Sequence, residues 1–232
     1  MKLLALETAT EACSVALWID GEVRERYEIA PRRHTELVLP WAEALLAEAG
    51  IAKSQLDAIA CGRGPGAFTG VRLAVALTQG LGFALDRPVL AISTLAALAF
   101  DADATAGEAV LAAIDARMGE IYLGAFEHDA GQGVHAIEPE RLLPPHAATL
   151  ANQRRWIGVG TGFSAEGESL QKALGPALLR VDAAALPHAA AVARLGALAF
   201  ARGEAIAPEF LQPAYLRDKV ALTLVEQNKA QV

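Results

Sequence analysis

The chain has 232 residues, of which 53% are hydrophobic, so it can bury a large core in one domain or in two small ones. Charged residues make up 20% of the chain, a composition that excludes an intrinsically disordered tail. The formal net charge of -7 argues against strong unaided binding to nucleic acid, because an acidic surface repels phosphates.

The first 29 residues predict a three-stranded antiparallel meander, with strands over 3–7, 13–19 and 23–29. Asp20-Gly21 is a strong hairpin signal between the second and third strands. The apolar opening meets Glu7 too early for a signal peptide. No apolar run reaches membrane-spanning length, so we expect a cytoplasmic protein that does not bind a membrane.

A first helix is predicted from a Thr35 cap to about Ala49. Pro40 either marks a later start of this helix or removes one early hydrogen bond. The apolar residues that share one helical face are Leu37, Val38, Trp41, Leu45 and Ala49. Such a face is more often core, although tryptophan near a small-residue stripe is also typical of a helical contact.

A glycine-rich loop over 62–70 joins a strand over 56–61 to a second helix over 71–85, with Thr69 as its expected cap. Pro65-Gly66 fits the centre of a type II turn with a positive φ at the glycine. A helix start can bind an anion, and the loop has the glycine spacing of a dinucleotide site. However, no acidic residue ends the next strand and no Walker lysine follows, so we favour a tight structural connection.

The second helix carries a stripe of four residues that recur at every fourth position. They are Arg72, Ala76, Gly80 and Ala84. Three of the four are small, so the sequence predicts a smooth surface on which another helix can approach closely.

Strand 88–92 and helix 94–100 complete the first half, and beyond the boundary segment 101–107 its meander recurs in outline. The predicted strands are 88–92, 109–114, 120–126, a short one starting near 131–133, and 156–159. The predicted helices are 94–100 with Ser93 as cap, 146–151, 166–174 and 189–201. This echo predicts a duplicated plan, divided into a first lobe over 1–102, a second over 103–212 and a C-terminal segment over 213–232 that is a candidate to pack back on the first lobe.

Few side chains offer independent chemistry. Cys13 and Cys61 lie in apolar strands and are interpreted as buried small hydrophobes. His34 has Leu37 and Val38 where a second ligand on the same helical face would stand, so we expect no metal site. Asp115 and Arg117 flank one turn and can pair either with each other or with a partner.

Several segments in family order resemble the TsaB (YeaZ) family of the actin-like ATPase superfamily. The two most specific are Gly64-Pro65-Gly66-Ala67-Phe68-Thr69-Gly70-Val71-Arg72 and Asp115-Ala116-Arg117-Met118-Gly119-Glu120-Ile121-Tyr122. Residues 4–17, 34–36, 39–40, 93–95 and 215–217 agree with it as well. The resemblance spans nearly the whole chain and is strongest before about residue 126.

The resemblance implies an α/β fold of two actin-like (ribonuclease H-like) lobes, the second reduced. It also implies a non-catalytic scaffold subunit, without cofactor or metal, for the threonylcarbamoylation of the tRNA adenosine beside the anticodon. Such a subunit pairs with the catalytic subunit TsaD and the ATPase TsaE, forms a homodimer when alone, and meets tRNA only through the complex. The expected partner interface is Leu37, Trp41, Leu45, Thr69, Arg72, Ala76, Gly80 and Ala84.

The turn after the first strand is where active members of the superfamily hold metal and phosphate. Those members usually present Asp and Gly there, whereas this chain has Glu7 and Ala9 beside Thr8 and Thr10. We therefore predict a vestigial nucleotide site at Glu7, Thr8 and Thr10. The alternative function is an autonomous ATP-dependent small-molecule kinase. A third interpretation, a metallopeptidase, needs a set of metal ligands that the sequence does not show.

Overall fold

The computed structural model describes residues 1–129, 133–150 and 154–217. Its first half forms a five-stranded sheet in the order β3-β2-β1-β4-β5, in which the first three strands are an antiparallel meander and the last two are parallel to β1. These strands are β1 (Lys2–Glu7), β2 (Ala12–Ile19), β3 (Glu22–Ile29), β4 (Ala58–Gly62) and β5 (Val89–Ile92).

The second sheet repeats this topology strand for strand. Its order is β10-β9-β6-β7-β8, again an antiparallel meander followed by two parallel strands. The strands are β6 (Ala109–Arg117), β7 (Glu120–Asp129), β8 (Gly133–Leu143), β9 (Trp156–Val159) and β10 (Leu178–Asp182). The predicted two-lobed α/β fold of the actin-like kind is confirmed.

The described residues form five α-helices, which are α1 (His34–Glu48), α2 (Phe68–Leu85), α3 (Thr94–Phe100), α4 (Ser169–Leu174) and α5 (Ala189–Ala201). Helices α1 and α2 cover one face of the first sheet, and α5 covers the other. Leu4 and Leu6 of β1 pack with α1 and α2, whereas Leu3 and Ala5 pack with α5 on the opposite face. This alternation is the period of two that a strand buried on both faces requires.

The second sheet is covered by less helix. Leu95 and Leu98 of α3 pack with Val110 and Ile114 on the face toward the first lobe. The other face is closed by the short helix α4 and by Phe163. Helix α5 lies within the predicted second lobe, 103–212, and yet packs on the first sheet. The division of the chain into lobes at residues 102 and 212 stays a prediction.

Several local predictions are wrong at helix starts and turns. Helix α1 begins at His34 without a side-chain cap, so Thr35 is not its cap, and Pro40 lies inside it. Helix α2 begins at Phe68 after Ala67, so Thr69 lies within its first turn. The positive φ falls at Gly64 (97°), which precedes a cis Pro65, so the predicted type II turn with a positive φ at the following glycine is also wrong.

Other differences lie in the second half. The strand predicted to be short is β8, which runs on through Pro139 to Leu143. A short 3-10 turn over Pro145–Ala147 stands in the described part of the predicted helix 146–151. Helix α4 starts only at Ser169, because Glu166 and Glu168 both have positive φ. The predicted strand start at 131–132 and residue 151 lie outside the described residues.

Helix α2 is long and apolar enough, by length and composition alone, to cross a membrane, although the sequence was expected to hold no run of that length. It contributes Val71, Ala74 and Val75 to the buried core. A single helix of this kind is weak evidence for a membrane segment, because a core helix passes the same test.

The cap of α3 is predicted correctly and gives a stability test. The Ser93 hydroxyl oxygen accepts a hydrogen bond from the Ala96 amide at 3.0 Å. We expect Ser93→Ala to lower the free energy of unfolding by about 1 kcal/mol or more, because one amide of the first turn loses its acceptor and the Glu140 carboxylate loses the hydroxyl as donor. Ser93→Thr retains an acceptor and should recover most of the loss in urea unfolding. Equal losses in both variants would contradict the capping role.

Candidate functional site: an interlobe cleft and an exposed helix face

A cleft of about 1020 Å³ lies between the two lobes. One wall is formed by the β1–β2 turn, the start of α2 and the loop before α1. The other wall is formed by the end of β6, the turn that follows it and the loop after β9, and residues 214–217 line it as well. In volume the cleft would accommodate a small molecule.

Glu7 does not line this cleft. Its carboxylate is only 1% exposed and accepts hydrogen bonds from the Ala9 amide at 2.7 Å and the Thr94 hydroxyl at 3.0 Å. Gly62 lies so close that a Cβ there would stand 1.8 Å from Glu7 Oε2. Burial raises the pKa of Glu7 to about 7. The hydrogen bonds favour the charged carboxylate and so lower the pKa, but their effect is smaller than that of burial.

Thr8 and Thr10 do line the cleft, but their hydroxyls are engaged with the backbone. Thr8 Oγ1 donates to the Gly70 carbonyl at 2.7 Å, and Thr10 Oγ1 accepts from the Ala12 amide at 3.3 Å. The geometry thus gives Glu7, Thr8 and Thr10 structural roles in the first turn. The vestigial nucleotide site at these three residues stays a prediction.

The glycine-rich loop packs directly on the β1–β2 turn. The Ala67 amide donates to the Ala9 carbonyl at 2.7 Å. A Cβ on Gly66 would lie 2.5 Å from the same Ala9 oxygen, and one on Gly70 would lie 1.9 Å from the Thr8 oxygen. The glycines are therefore explained by a close approach of two backbone segments, as a tight strand-to-helix connection requires.

The β6–β7 turn carries the predicted Asp115–Arg117 pair. The Arg117 guanidinium donates to Asp115 Oδ2 at 2.8 Å, and its amide donates to Asp115 Oδ1 at 2.8 Å. Of the two alternatives, the structure therefore shows the internal pair. Because Arg117 is 80% exposed, we expect this ion pair to contribute little to stability.

His34 and the cysteines are structural. His34 Nε2 lies 3.1 Å from the Thr10 carbonyl and 3.2 Å from the Ala12 carbonyl, and so holds α1 against the first hairpin. Burial raises the pKa of the Cys13 thiol to about 11 and that of Cys61 to about 12. Across residues 1–129, 133–150 and 154–217, no group of three His, Cys, Asp or Glu side chains could hold a metal ion.

Helix α2 presents an exposed face. Its exposed residues include Thr69, Arg72, Ala76, Gly80 and Ala84, all five of which sequence analysis assigns to a partner interface. The remaining face is buried against the first sheet.

The predicted α1 contribution to this interface needs correction at one residue. Leu37 and Trp41 are half-buried against the core, but Leu45 is only 2% exposed and belongs to the core itself. Leu45 therefore cannot contact a partner on the folded chain.

Exposed aromatic residues beside this face were missed by sequence reasoning. Phe83 is 60% exposed on α2, and Phe68 and Tyr215 are exposed near the helix start. The Arg72 guanidinium carbon lies 3.7 Å from the Phe68 ring centroid, and Arg72 Nε donates to the Tyr215 hydroxyl at 2.7 Å. The sequence feature that could have indicated this aromatic surface is Phe83, which directly precedes Ala84 of the small-residue stripe.

The fold and the two surfaces define a protein with duplicated actin-like lobes whose α2 face is open. Residues 27–224 match the family model described as "TsaD: tRNA N6-adenosine threonylcarbamoyltransferase". The chain is 41% identical to the Escherichia coli tRNA threonylcarbamoyladenosine biosynthesis protein TsaB, with 95% of this chain and 96% of that relative covered. It is 38% identical to the Haemophilus influenzae protein of the same name, with 95% of each covered.

A solved structure agrees with these relatives. YeaZ from Pseudomonas aeruginosa is 46% identical and superposes with a TM-score of 0.85, over 93% of this chain and 99% of that chain. The chain belongs to the TsaB (YeaZ) family.

Proposed function

We propose that this chain is a non-catalytic scaffold subunit in the biosynthesis of tRNA N6-threonylcarbamoyladenosine. It pairs with the catalytic subunit TsaD through the exposed face of α2 and works with the ATPase TsaE in the cytoplasm. The chain forms a homodimer when alone and meets tRNA only through the complex. The observation that carries the proposal is the exposed stripe of Arg72, Ala76, Gly80 and Ala84 in a member of the TsaB family.

Two physical features support a protein contact on this face. Ala76 and Gly80 leave room for close approach of a second helix, because in the described part of the chain no heavy atom outside the helix's own backbone lies within 4 Å of a Cβ built on Gly80. Phe83 and Phe68 add exposed aromatic surface at the two ends of the helix, and aromatic residues are enriched in interface cores.

The non-catalytic part of the proposal is supported by the first turn. Glu7 is buried away from the cleft, and the hydroxyls of Thr8 and Thr10 are bonded to backbone groups. A catalytic metal and phosphate site would need a carboxylate that faces the cleft. Two acidic residues do line the cleft, Glu11 and Asp115; Asp115 is paired with Arg117, and Glu11 lies on the exposed end of the first turn.

The interface is tested by replacing a small residue of the stripe with a large cation. We expect Ala76→Arg and Gly80→Arg to weaken the affinity for the same organism's TsaD by about 10- to 100-fold, because an arginine overfills a close helix contact. Affinity is measured by titration calorimetry, and complex formation by co-elution from a sizing column.

The matched control is Ala173→Arg, which also places arginine on an exposed helical alanine, but on α4 in the second lobe. This variant should bind TsaD like the wild type. Normal binding by the two α2 variants would place the interface elsewhere, and no binding by the wild type would refute the scaffold proposal.

The cleft is the observation that favours the second candidate, an ATP-dependent small-molecule kinase, because its volume would accommodate a nucleotide. The two candidates differ in whether the isolated chain hydrolyses ATP. The scaffold proposal expects no ATP hydrolysis by the isolated chain, with or without Mg²⁺. Sustained hydrolysis by the purified chain, together with no affinity for TsaD, would favour the kinase.

A further inference from the structure

Residues 214–217, which we name the strap, connect the two lobes along the cleft. At its first residue the Ala214 amide donates to the Arg63 carbonyl at 2.8 Å, directly after β4 of the first sheet. At its last residue Arg217 contacts the β6–β7 turn of the second sheet. The strap therefore has one anchor in each lobe.

The anchor in the second lobe is a half-buried ion pair with additional hydrogen bonds. One Arg217 guanidinium nitrogen lies 2.7 Å from Glu120 Oε2 and 3.1 Å from the Ala116 carbonyl oxygen. The side chains of Arg217 and Glu120 are only 16% and 33% exposed. A pair shielded in this way is screened less by salt than a surface pair, and removing one partner leaves a partly buried charge unpaired.

The backbone conformation of the β6–β7 turn places the atoms that Arg217 contacts. Arg117 and Met118 have φ values of 62° and 59°, a left-handed conformation that non-glycine residues rarely adopt. The Arg117 carbonyl oxygen lies 3.3 Å from a guanidinium nitrogen of Arg217, and Met118 Sδ lies 2.9 Å from the other. Arg217 thus bonds the turn at several atoms, so that movement of the second lobe has to move the strap.

The anchor in the first lobe extends to α2. Tyr215 accepts the hydrogen bond from Arg72, and its ring lies 6.3 Å from that of Phe68 between centroids. Together with the Ala214 bond to Arg63, this holds the strap against the start of α2 at one wall of the cleft.

We propose that the strap fixes the distance between the two lobes across the cleft, and that Arg217 is the residue that attaches the strap to the second lobe. With Arg217 removed, the second lobe keeps its contact with α3 but loses its tie to the first lobe beside α2. The lobes then sample a wider range of separations, and the whole strap leaves Arg63 more often.

The test uses spin labels, one on each lobe, in the full chain. Lys53→Cys and Lys172→Cys place them on exposed residues of the first and second lobes, whereas Cys13 and Cys61 are buried and should not react. Pulsed electron resonance should give a narrow distance distribution with Arg217 present. Arg217→Ala should broaden the distribution or shift it to longer distances.

A second readout reports on the strap itself. Hydrogen exchange at the Ala214 amide should accelerate by about tenfold or more in Arg217→Ala, since its bond to Arg63 breaks when the strap leaves. Glu120→Gln, which removes the ion pair and keeps an acceptor, should give a smaller change in the same direction.

The matched control is Arg202→Ala, which removes an exposed Arg–Glu pair with Glu204 that does not join the lobes. It should change neither the distances nor the exchange at Ala214. Unchanged distances in Arg217→Ala would overturn the proposal, even if the exchange at Ala214 rises. Unchanged exchange at Ala214 would equally overturn the part given to Arg217.

Discussion

We expect the Gly70→Ala variant to be at least about 3 kcal/mol less stable than the wild type in urea unfolding. The new Cβ would lie 1.9 Å from the Thr8 carbonyl oxygen and 3.0 Å from the Thr8 carbonyl carbon. Both are backbone atoms, so they can move only if the β1–β2 turn moves away from α2. That movement also stretches the bond from the Thr8 hydroxyl to the Gly70 carbonyl.

The control for this experiment lies on the same helix. Among the residues that the structure describes, none outside the helix's own backbone stands within 4 Å of a Cβ on Gly80. Gly80→Ala should therefore stabilise the chain by about 1 kcal/mol, because alanine favours the helix. Opposite signs would show that Gly70 is required by close backbone approach. If Gly70→Ala also stabilised the chain, the contact between the first turn and α2 would be wrong.

Much of the fold follows from patterns that depend on local chemistry. The hairpin at Asp20-Gly21 and the cap at Ser93 lie where sequence predicts them. Leu3 and Ala5 point to one face of β1 and Leu4 and Leu6 to the other. Because both faces are buried, the sequence does not tell which helix covers which face. Only the packed structure shows that one face meets α5, which is distant in sequence.

The errors in the second half have a common cause. The sequence predicts only a short strand starting near 131–133, whereas β8 continues through Pro139, because it lies at the edge of its sheet, where a missing amide breaks no bond to a further strand. Strand β10 was missed because it is short and lies at the opposite edge, directly after a 3-10 turn over Gly175–Ala177. Edge strands carry a weaker sequence signal than strands buried on both faces.

The candidate interface shows a similar limit. Helical spacing groups Leu37, Trp41 and Leu45 as well as it groups Ala76 and Gly80, but spacing does not tell core from surface. Leu45 meets the first sheet and is buried, whereas the small stripe of α2 is exposed. The same limit applies to Glu7, whose residue type indicates a metal site while its position between Gly62 and Thr94 makes it part of the core.

Glu7 should make the stability of the chain fall as the pH rises from about 5 to about 8. The carboxyl ionises near 4.5 in the unfolded chain, whereas burial raises its pKa to about 7 in the folded protein. Between these values the folded state holds a proton that the unfolded state releases, so rising pH favours unfolding. The loss is complete above the folded pKa and amounts to about 3 kcal/mol.

The experiment compares the wild type with Glu7→Gln, because other groups also titrate in this range. The amide can still accept from Ala9 and contact Thr94, but it carries no charge at any of these pH values. The variant should therefore gain stability over the wild type as pH rises, and the difference should level off above pH 7 to 8. Glu209→Gln, on the exposed surface, should follow the wild type throughout. Parallel profiles for wild type and Glu7→Gln would mean that Glu7 is ionised in the folded chain, and that its two hydrogen bonds offset the burial of the charge.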